Sequence, residues 1–137
     1  MASTTLTPSA GWSGTADKLH AGLQTLRSTA ELRSCSDRQL RSLLPYFDEV
    51  TVPAGQRIAV EGRLCSEFLV VMWGRLRVRS SRDGDRVLHA GDSYGWRAMW
   101  ERAANQDTVV AESDTRVLVA GHAQFRHLKS VGVKPGV

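Results

Sequence analysis

The sequence has little cysteine and no long apolar stretch, and each shortage excludes a class of protein. Only Cys35 and Cys65 occur among 137 residues, so a disulfide framework is excluded, and these thiols have no neighbouring histidines with which to form a zinc site. The longest apolar run, residues 68–73, is six residues long and is too short to cross a bilayer. The first residues lack the basic and apolar regions of a secretory signal, so we expect a cytoplasmic protein without membrane insertion.

Familiar catalytic and metal-binding patterns are scarce as well. The sequence contains neither a P-loop nor an HExxH motif. Its four histidines lie apart from the cysteines, and the spacing of five between His122 and His127 does not suit a helical metal pair. We therefore expect a protein that is not an enzyme and that has no metal site.

Positive charge is plentiful and is concentrated in one region. The chain carries 18 Lys and Arg against 14 Asp and Glu, and six arginines fall within positions 63–86. Alternation predicts that Arg75, Arg77 and Arg79 share one face of a strand. This face is either a solvated surface or a docking surface, and the absence of interleaved aromatics favours an acidic protein over RNA as the partner. The predicted partner-binding residues are Arg75, Arg77, Arg79, Arg82 and Arg86.

The pattern before residue 48 is helical. Residues 1–14 carry no charge and no periodicity, which predicts a disordered tail in which Trp12 is the one residue suited to docking. Residues 15–47 are predicted to form helices, since leucines recur every three or four positions. Ser36 and Gln39 have capping-box spacing at the start of the second helix, and Pro45 ends it.

Short strands separated by turns follow, over residues 48–130. Apolar alternation predicts strands at 51–52, 57–60, 68–73, 75–79, 86–89, 108–112 and 115–120. A helix is predicted at 96–104 between two of them, another at 122–130, and residues 131–137 form a C-terminal tail. The density of Gly-containing turns indicates a small antiparallel β-sandwich or barrel with flanking helices.

From about residue 35 to residue 128 the chain resembles the cyclic-nucleotide-binding domain family of catabolite-activator-type regulators, kinase regulatory subunits and cyclic-nucleotide-gated channels. The resemblance rests on an ordered series of motifs, namely 53–55 (PAG), 61–62 (EG), an apolar strand ending at Gly74, 91–95 (GDSYG) and 108–111 (TVVA). It implies an eight-stranded antiparallel jelly roll, or β-roll. It also implies a phosphate-binding cassette with a short helix in the twelve residues between Gly95 and Thr108.

The same resemblance implies the ligand-site positions Tyr94, Gly95, Trp96, Arg97, Ala98, Asn105, Gln106, Asp107 and Thr108. The family has a glutamate for the ribose hydroxyl where this chain has Trp96, and an arginine for the phosphate where it has Asn105. Loss of a charged partner for a buried anion costs about 2–5 kcal/mol. We therefore expect a degenerate pocket without a cofactor, with Arg97 and Arg102 pointing elsewhere. Replacing Trp96 by Glu together with Asn105 by Arg is expected to restore affinity.

Family members that act on DNA have a long helix and a helix-turn-helix after the barrel. Here only residues 122–130 and a seven-residue tail follow, so we expect a stand-alone domain without a direct DNA reader. The sequence thus predicts a non-enzymatic regulatory or interaction module, a subunit of a larger assembly that is compatible with a homo-oligomer. The alternative is a small-ligand sensor that binds cAMP or cGMP, or a different ligand, in the cassette. Trp96 and Trp100 either pack against the barrel or anchor a partner.

Overall fold

The computed structural model describes residues 16–135. The N-terminal part contains helix α1 (Ala16–Arg27) and helix α2 (Asp37–Leu43), with 3-10 turns at Ala30–Leu32 and Leu44–Tyr46. The predicted capping box of α2 is confirmed: the Gln39 amide donates to the Ser36 hydroxyl at 3.2 Å, and the Ser36 amide donates to the Gln39 side chain at 2.8 Å. The predicted tail at residues 1–14 lies outside the described residues.

Eight short strands form two antiparallel sheets. They are β1 (Asp48–Val52), β2 (Arg57–Ala59), β3 (Glu67–Trp73), β4 (Leu76–Ser80), β5 (Gly84–Leu88), β6 (Ser93–Tyr94), β7 (Thr108–Ala111) and β8 (Thr115–Gly121). One sheet has the order β1-β8-β3-β6 and the other β2-β7-β4-β5. Helix α3 (Trp96–Glu101) lies between β6 and β7, and α4 (His122–Lys129) follows β8. The predicted β-roll with a short cassette helix is confirmed.

Several elements differ from the sequence-based expectation. Strand β1 begins at Asp48 instead of residue 51, and β5 spans Gly84–Leu88 instead of 86–89. The two-residue strand β6 was not predicted, because two residues are too few to show alternation. Helix α3 ends at Glu101 instead of residue 104, since Arg102 adopts the left-handed conformation with φ 53° and stops the helix.

The first core lies between the two sheets. Alternate residues of the strands point inward, as in Val50 and Val52 of β1 and Val117 and Val119 of β8. Leu76 and Val78 fill the same core from β4, so the side chains between them point outward.

A second core lies between the β1-β8-β3-β6 sheet and the helices, and it is aromatic. The Phe68 ring lies edge-on to Trp96, with ring centroids 4.9 Å apart, and Phe125 of α4 contacts Trp96 at the same distance. Phe47 and Met99 are fully buried in this cluster. Because Trp96 is the first residue of α3, its packing in the aromatic core fixes the position of the cassette helix.

Candidate functional site

The cassette begins at a glycine that the local backbone requires. Gly95 has φ +99°, and a Cβ at this position would lie 2.7 Å from the carbonyl oxygen of Glu67 and 3.3 Å from the Cys65 sulfur. The left-handed conformation and the close approach both exclude a larger residue. Gly95 therefore turns the chain directly from β6 into α3.

Trp96, where the resemblance implies the ribose-binding glutamate of the family, has a side chain that points into the aromatic core. It is 6% exposed, and its indole Nε1 donates to the carbonyl oxygen of Val133 at 2.6 Å. Gly132 lies against the ring, since a Cβ there would be 2.4 Å from Trp96. The chain is held in place because the Val133 amide donates to the Glu31 carbonyl at 2.9 Å. Trp96 is thus a packing residue, and the alternative of an exposed partner anchor is excluded for it.

Asn105, where the resemblance implies the phosphate-binding arginine, is also turned away from the cavity at the cassette. It is 6% exposed, and its Nδ2 donates to the Val60 carbonyl at 3.2 Å. Asn105 lines a separate cavity of about 100 Å³ that Arg57 and Arg63 also line. Neither family charge is therefore replaced at its own position.

A cavity of about 170 Å³ remains at the cassette. Of the nine sequence-predicted positions, six line it: Tyr94, Gly95, Arg97, Ala98, Gln106 and Asp107. Trp96, Asn105 and Thr108 do not. The Thr108 hydroxyl instead accepts a hydrogen bond from the Glu61 amide at 3.0 Å. The structure thus brings together most of the predicted site but none of its family-specific side chains.

Charged side chains of both signs line this cavity. Arg97, which was expected to point elsewhere, faces it and pairs with Glu101 at 3.3 Å. The expectation was wrong because α3 places Arg97 on its cavity side, whereas Arg102 ends the helix and is not among the lining residues. Arg86 of β5 also lines the cavity, as does Asp107, which is 9% exposed.

Tyr94 lines the cavity as an uncharged phenol. Its hydroxyl donates to the backbone carbonyl of Asp107 at 3.4 Å. Burial raises the pKa of Tyr94, and the negative charge of Asp107 raises it further. The phenol therefore remains neutral at physiological pH and does not supply a charge for a ligand.

These positions change what is expected of the restoring substitutions. A glutamate at position 96 would place its carboxylate among Phe68, Phe125 and Trp100, where a charge has no partner. An arginine at position 105 would point toward Arg57 and Arg63. We now expect the double substitution to destabilise the fold instead of restoring nucleotide affinity.

The arginine strand β4 has the predicted alternation. Leu76 and Val78 are buried, and the arginines face outward. Glu112 lies between them: its carboxylate accepts a hydrogen bond from Arg75 Nε at 3.0 Å and a second one from Arg77. The hydrogen bonds from Arg75 and then Arg77 lower the pKa of Glu112. This face is therefore of mixed charge and not purely basic.

Strand register separates Arg86 from the other predicted partner-binding residues. Arg86 pairs directly with Val78, whose side chain points into the barrel, so Arg86 faces the cassette cavity. Arg77 pairs with Val87, and Arg79 pairs with Asp85 on the outer face. The sequence did not predict that Arg86 faces the other way from Arg77 and Arg79. The turn before β5 sets the register of β5 against β4, and the alternation of residues within each strand does not determine that register.

The sequence did not predict that Arg57 lies on the same outer face of the sheet as Arg77 and Arg79. Arg57 of β2 and Arg77 of β4 both pair with Val110 of β7. Val87 and Val110 are half-buried, so apolar surface lies between the guanidinium groups. Arg82 lies in the exposed turn beside the face, where its amide donates to the Ser80 hydroxyl at 3.1 Å.

Residues 91–95 also match the Gly-x-Ser-x-Gly spacing of a hydrolase nucleophile elbow, a match that the sequence-based exclusion of enzymes missed. In the structure the Ser93 hydroxyl donates to the Glu31 carboxylate at 2.7 Å. No histidine is among the residues that line the adjacent cassette cavity. Among the described residues, the Ser93 hydroxyl is therefore bonded to a carboxylate, and the cassette cavity offers it no histidine base of the kind that such an elbow requires.

Within residues 16–135, no group of three or more His, Cys, Asp or Glu side chains has a geometry suited to a metal ion. None of the helices in this range combines the length and the apolar character needed to span a membrane.

Comparison with known proteins identifies the family. Residues 49–130 match the model of the cyclic nucleotide-binding domain. The chain belongs to this family. A search of curated protein sequences finds no significant match.

Solved structures support the assignment of the fold. A cyclic nucleotide-binding-like protein from Brucella abortus has a TM-score of 0.67 and 19% identity, over 80% of this chain and 97% of its own. The regulatory domain of Toxoplasma gondii PKA with cAMP has a TM-score of 0.76 and 20% identity, covering 86% of this chain and 48% of its own. The regulatory subunit of a cAMP-independent protein kinase A from Trypanosoma cruzi, bound to guanosine, has a TM-score of 0.77 and 13% identity, with coverages of 90% and 44%.

These identities are low, so the likeness concerns the fold. The chain spans about half the length of the two kinase regulatory structures. The Toxoplasma and Trypanosoma structures are regulatory parts of kinases, and the cyclic nucleotide-binding domain is a regulatory and not a catalytic family.

Proposed function

We propose that this cyclic nucleotide-binding-like domain is a non-enzymatic interaction module whose cassette does not hold a cyclic nucleotide. It serves as a regulatory subunit of a larger assembly and contacts an acidic protein partner. The observation that carries the proposal is the position of Trp96, whose side chain is buried and bonded to Val133. The side chain at the position implied for the family's ribose acceptor is therefore part of the core.

The electrostatics of the cassette cavity support the same conclusion. A cyclic nucleotide brings a phosphodiester anion, and Asn105 cannot neutralise it. Glu101 and Asp107 line the cavity together with Arg86 and Arg97, so the cavity has no excess of positive charge to hold that anion. The volume of about 170 Å³ is also below the roughly 300–1,000 Å³ that is common for ligand pockets.

The docking surface in this proposal is the outer arginine face, defined as Arg57, Arg75, Arg77 and Arg79 with Val87 and Val110 between them. Asp85 and Glu112 neutralise part of its charge, and Arg77 lies 3.8 Å from Asp85. Four arginines and two carboxylates leave an excess of positive charge. Arg57 and Arg79 form no ion pair with any residue of the described range 16–135 and are available to carboxylates of a partner. Arginine is one of the residue types enriched in interface hot spots.

The test is an affinity pulldown from an extract of the native host with the wild-type chain and with the double variant Arg77→Glu, Arg79→Glu. We expect the reversed charges to abolish capture of acidic partners while the thermal midpoint stays within a few degrees. Capture by the wild type should also weaken as salt rises, because exposed charges are screened.

The matched control is Arg33→Glu, Arg38→Glu, which reverses two exposed arginines near α2. This control has the same net charge as the test variant. If it abolishes capture equally, or if the test variant captures its partner at unchanged yield, the outer arginine face is only a solvated surface.

A further inference from the structure

We propose that the cassette cavity binds a small zwitterion of amino-acid size, with its cationic group at Asp107 and its anionic group at Arg86. The proposal goes beyond the docking role of the outer arginine face and is independent of it. It starts from two charges that line one cavity and that do not pair with each other.

The four charged side chains of the cavity divide into a pair and two single charges. Arg97 and Glu101 form an ion pair at 3.3 Å along one side of α3. Arg86 and Asp107 line the same cavity, but neither lies within 4.0 Å of an opposite charge among residues 16–135. The cavity is therefore lined by one guanidinium and one carboxylate that have no ion-pair partner among the described residues.

The Asp107 carboxylate determines which end of a ligand is cationic. Asp107 is nine-tenths buried, and a buried carboxylate without a positive partner is costly. The neighbouring Tyr94 phenol stays neutral, and its hydroxyl hydrogen-bonds the backbone carbonyl and the side chain of Asp107 without neutralising the charge of the carboxylate. An ammonium group would offset this cost, whereas a phosphate would add a second negative charge.

The Arg86 guanidinium determines the other end. The register of β5 against β4 directs Arg86 to the cavity, while its strand position leaves it exposed to solvent at the rim. A guanidinium presents two parallel N–H donors that match a carboxylate. A ligand carboxylate at the rim would pair with Arg86, and a ligand ammonium group would pair with Asp107. Each of the two side chains would then have a partner of opposite charge.

The size of the cavity limits the ligand. A cavity of about 150 Å³ is filled by one benzene ring. At about 170 Å³, the cassette cavity matches a free amino acid better than a sugar, a base and a phosphate together. The ligand class is therefore a small α-amino acid or a zwitterion of similar size.

The experiment is ligand-observed NMR on the full chain with each of the twenty protein amino acids, and with adenosine and cAMP for comparison. Calorimetry then measures the affinity of any amino acid that binds. We expect at least one amino acid to bind, and Asp107→Asn and Arg86→Gln each to weaken it tenfold or more. Arg79→Gln, on the outer face of the same hairpin, should leave the affinity unchanged.

The amide of the binding amino acid gives a second measurement that does not depend on Asp107→Asn folding. It lacks the carboxylate, so Arg86→Gln should change its affinity less than twofold. Binding of no amino acid, or an amino-acid affinity unchanged by Arg86→Gln, would overturn the proposal. So would binding of adenosine or cAMP in preference to every amino acid. These outcomes leave the pulldown with the outer arginine face unaffected, so the two proposals fail separately.

Discussion

The cassette and the arginine hairpin β4-β5 differ in the direction in which their distinctive side chains point. In the cassette, Trp96 and Asn105 occupy positions that the family uses for a ligand, yet both are buried and bonded to the protein's own backbone. In the hairpin, Arg77 and Arg79 point to solvent, and Arg77 is paired with neighbouring carboxylates. The comparison shows that strand register and neighbouring groups decide the role of a side chain, and the residue type alone does not.

The difference also predicts where stability resides. The cassette helix is fixed by an aromatic cluster and by the segment around Val133, whereas the hairpin charges lie in high-dielectric surroundings. Substitutions in the cassette should therefore affect folding strongly, and substitutions on the outer face of the hairpin should affect it little.

The largest expected effect is that of Trp96→Ala. Removal of a buried aromatic side chain costs about 3–5 kcal/mol of unfolding free energy. Arg79→Ala, at an exposed position of the hairpin, should change it by less than about 0.5 kcal/mol. Urea denaturation of both variants measures the difference in unfolding free energy. Equal losses of stability would contradict the expectation that the cassette contributes more to folding than the outer face of the hairpin.

A smaller effect is expected from a pair of glycine substitutions, one in each region. Gly95→Ala and Gly84→Ala both introduce a side chain at positive φ, +99° and +75° respectively. A Cβ at Gly84 meets nothing within 4 Å, whereas at Gly95 it meets the Glu67 carbonyl at 2.7 Å. We expect both to destabilise, and Gly95→Ala to do so by about 1–3 kcal/mol more. Thermal melts that rank Gly84→Ala as the worse variant would contradict the packing described here.

The smallest effect concerns pH and has opposite signs in the two regions. Burial raises the pKa of Glu67, beside the cassette, and Asp48 raises it further. Because the folded protein then binds the proton more tightly, ionised Glu67 opposes folding, and stability falls as pH rises from the unfolded pKa through the folded one. The lowered pKa of Glu112 does the reverse: its contribution is present above the unfolded pKa and is lost as pH falls through the folded one.

The corresponding variants are Glu67→Gln and Glu112→Gln. At pH 7 the first should raise the urea midpoint and the second should lower it slightly, because Glu112 is exposed and its pairs are screened. Midpoints measured from pH 3.5 to pH 7 test the signs. A shift of both midpoints in the same direction would show that the two carboxylates have similar surroundings.

Much of the fold could be predicted from the sequence, because its signals are local. The capping box at Ser36 and the alternation of β4 depend on neighbouring residues alone. The ordered turns from Pro53 to Thr108 identified the β-roll, since each turn requires particular residues at fixed positions. The short β6 was missed for lack of length.

The site was harder to predict, because its geometry depends on contacts between distant parts of the chain. The burial of Trp96 requires Phe68, Phe125 and Val133, which are far from it in sequence. The position of Arg86 in the cavity depends on its pairing with Val78, and Glu112 reaches Arg77 across 35 positions. None of these contacts leaves a periodic signal in the sequence.

The central claim is that the cassette is closed to cyclic nucleotides, and a calorimetric titration of the wild-type chain with cAMP and with cGMP tests it most directly. We predict no heat of binding for either nucleotide at micromolar concentrations, because Trp96 and Asn105 supply neither the ribose acceptor nor the phosphate cation. A dissociation constant in the micromolar range or below, for either nucleotide, would contradict the account and would show that Arg86 or Arg97 binds the phosphate.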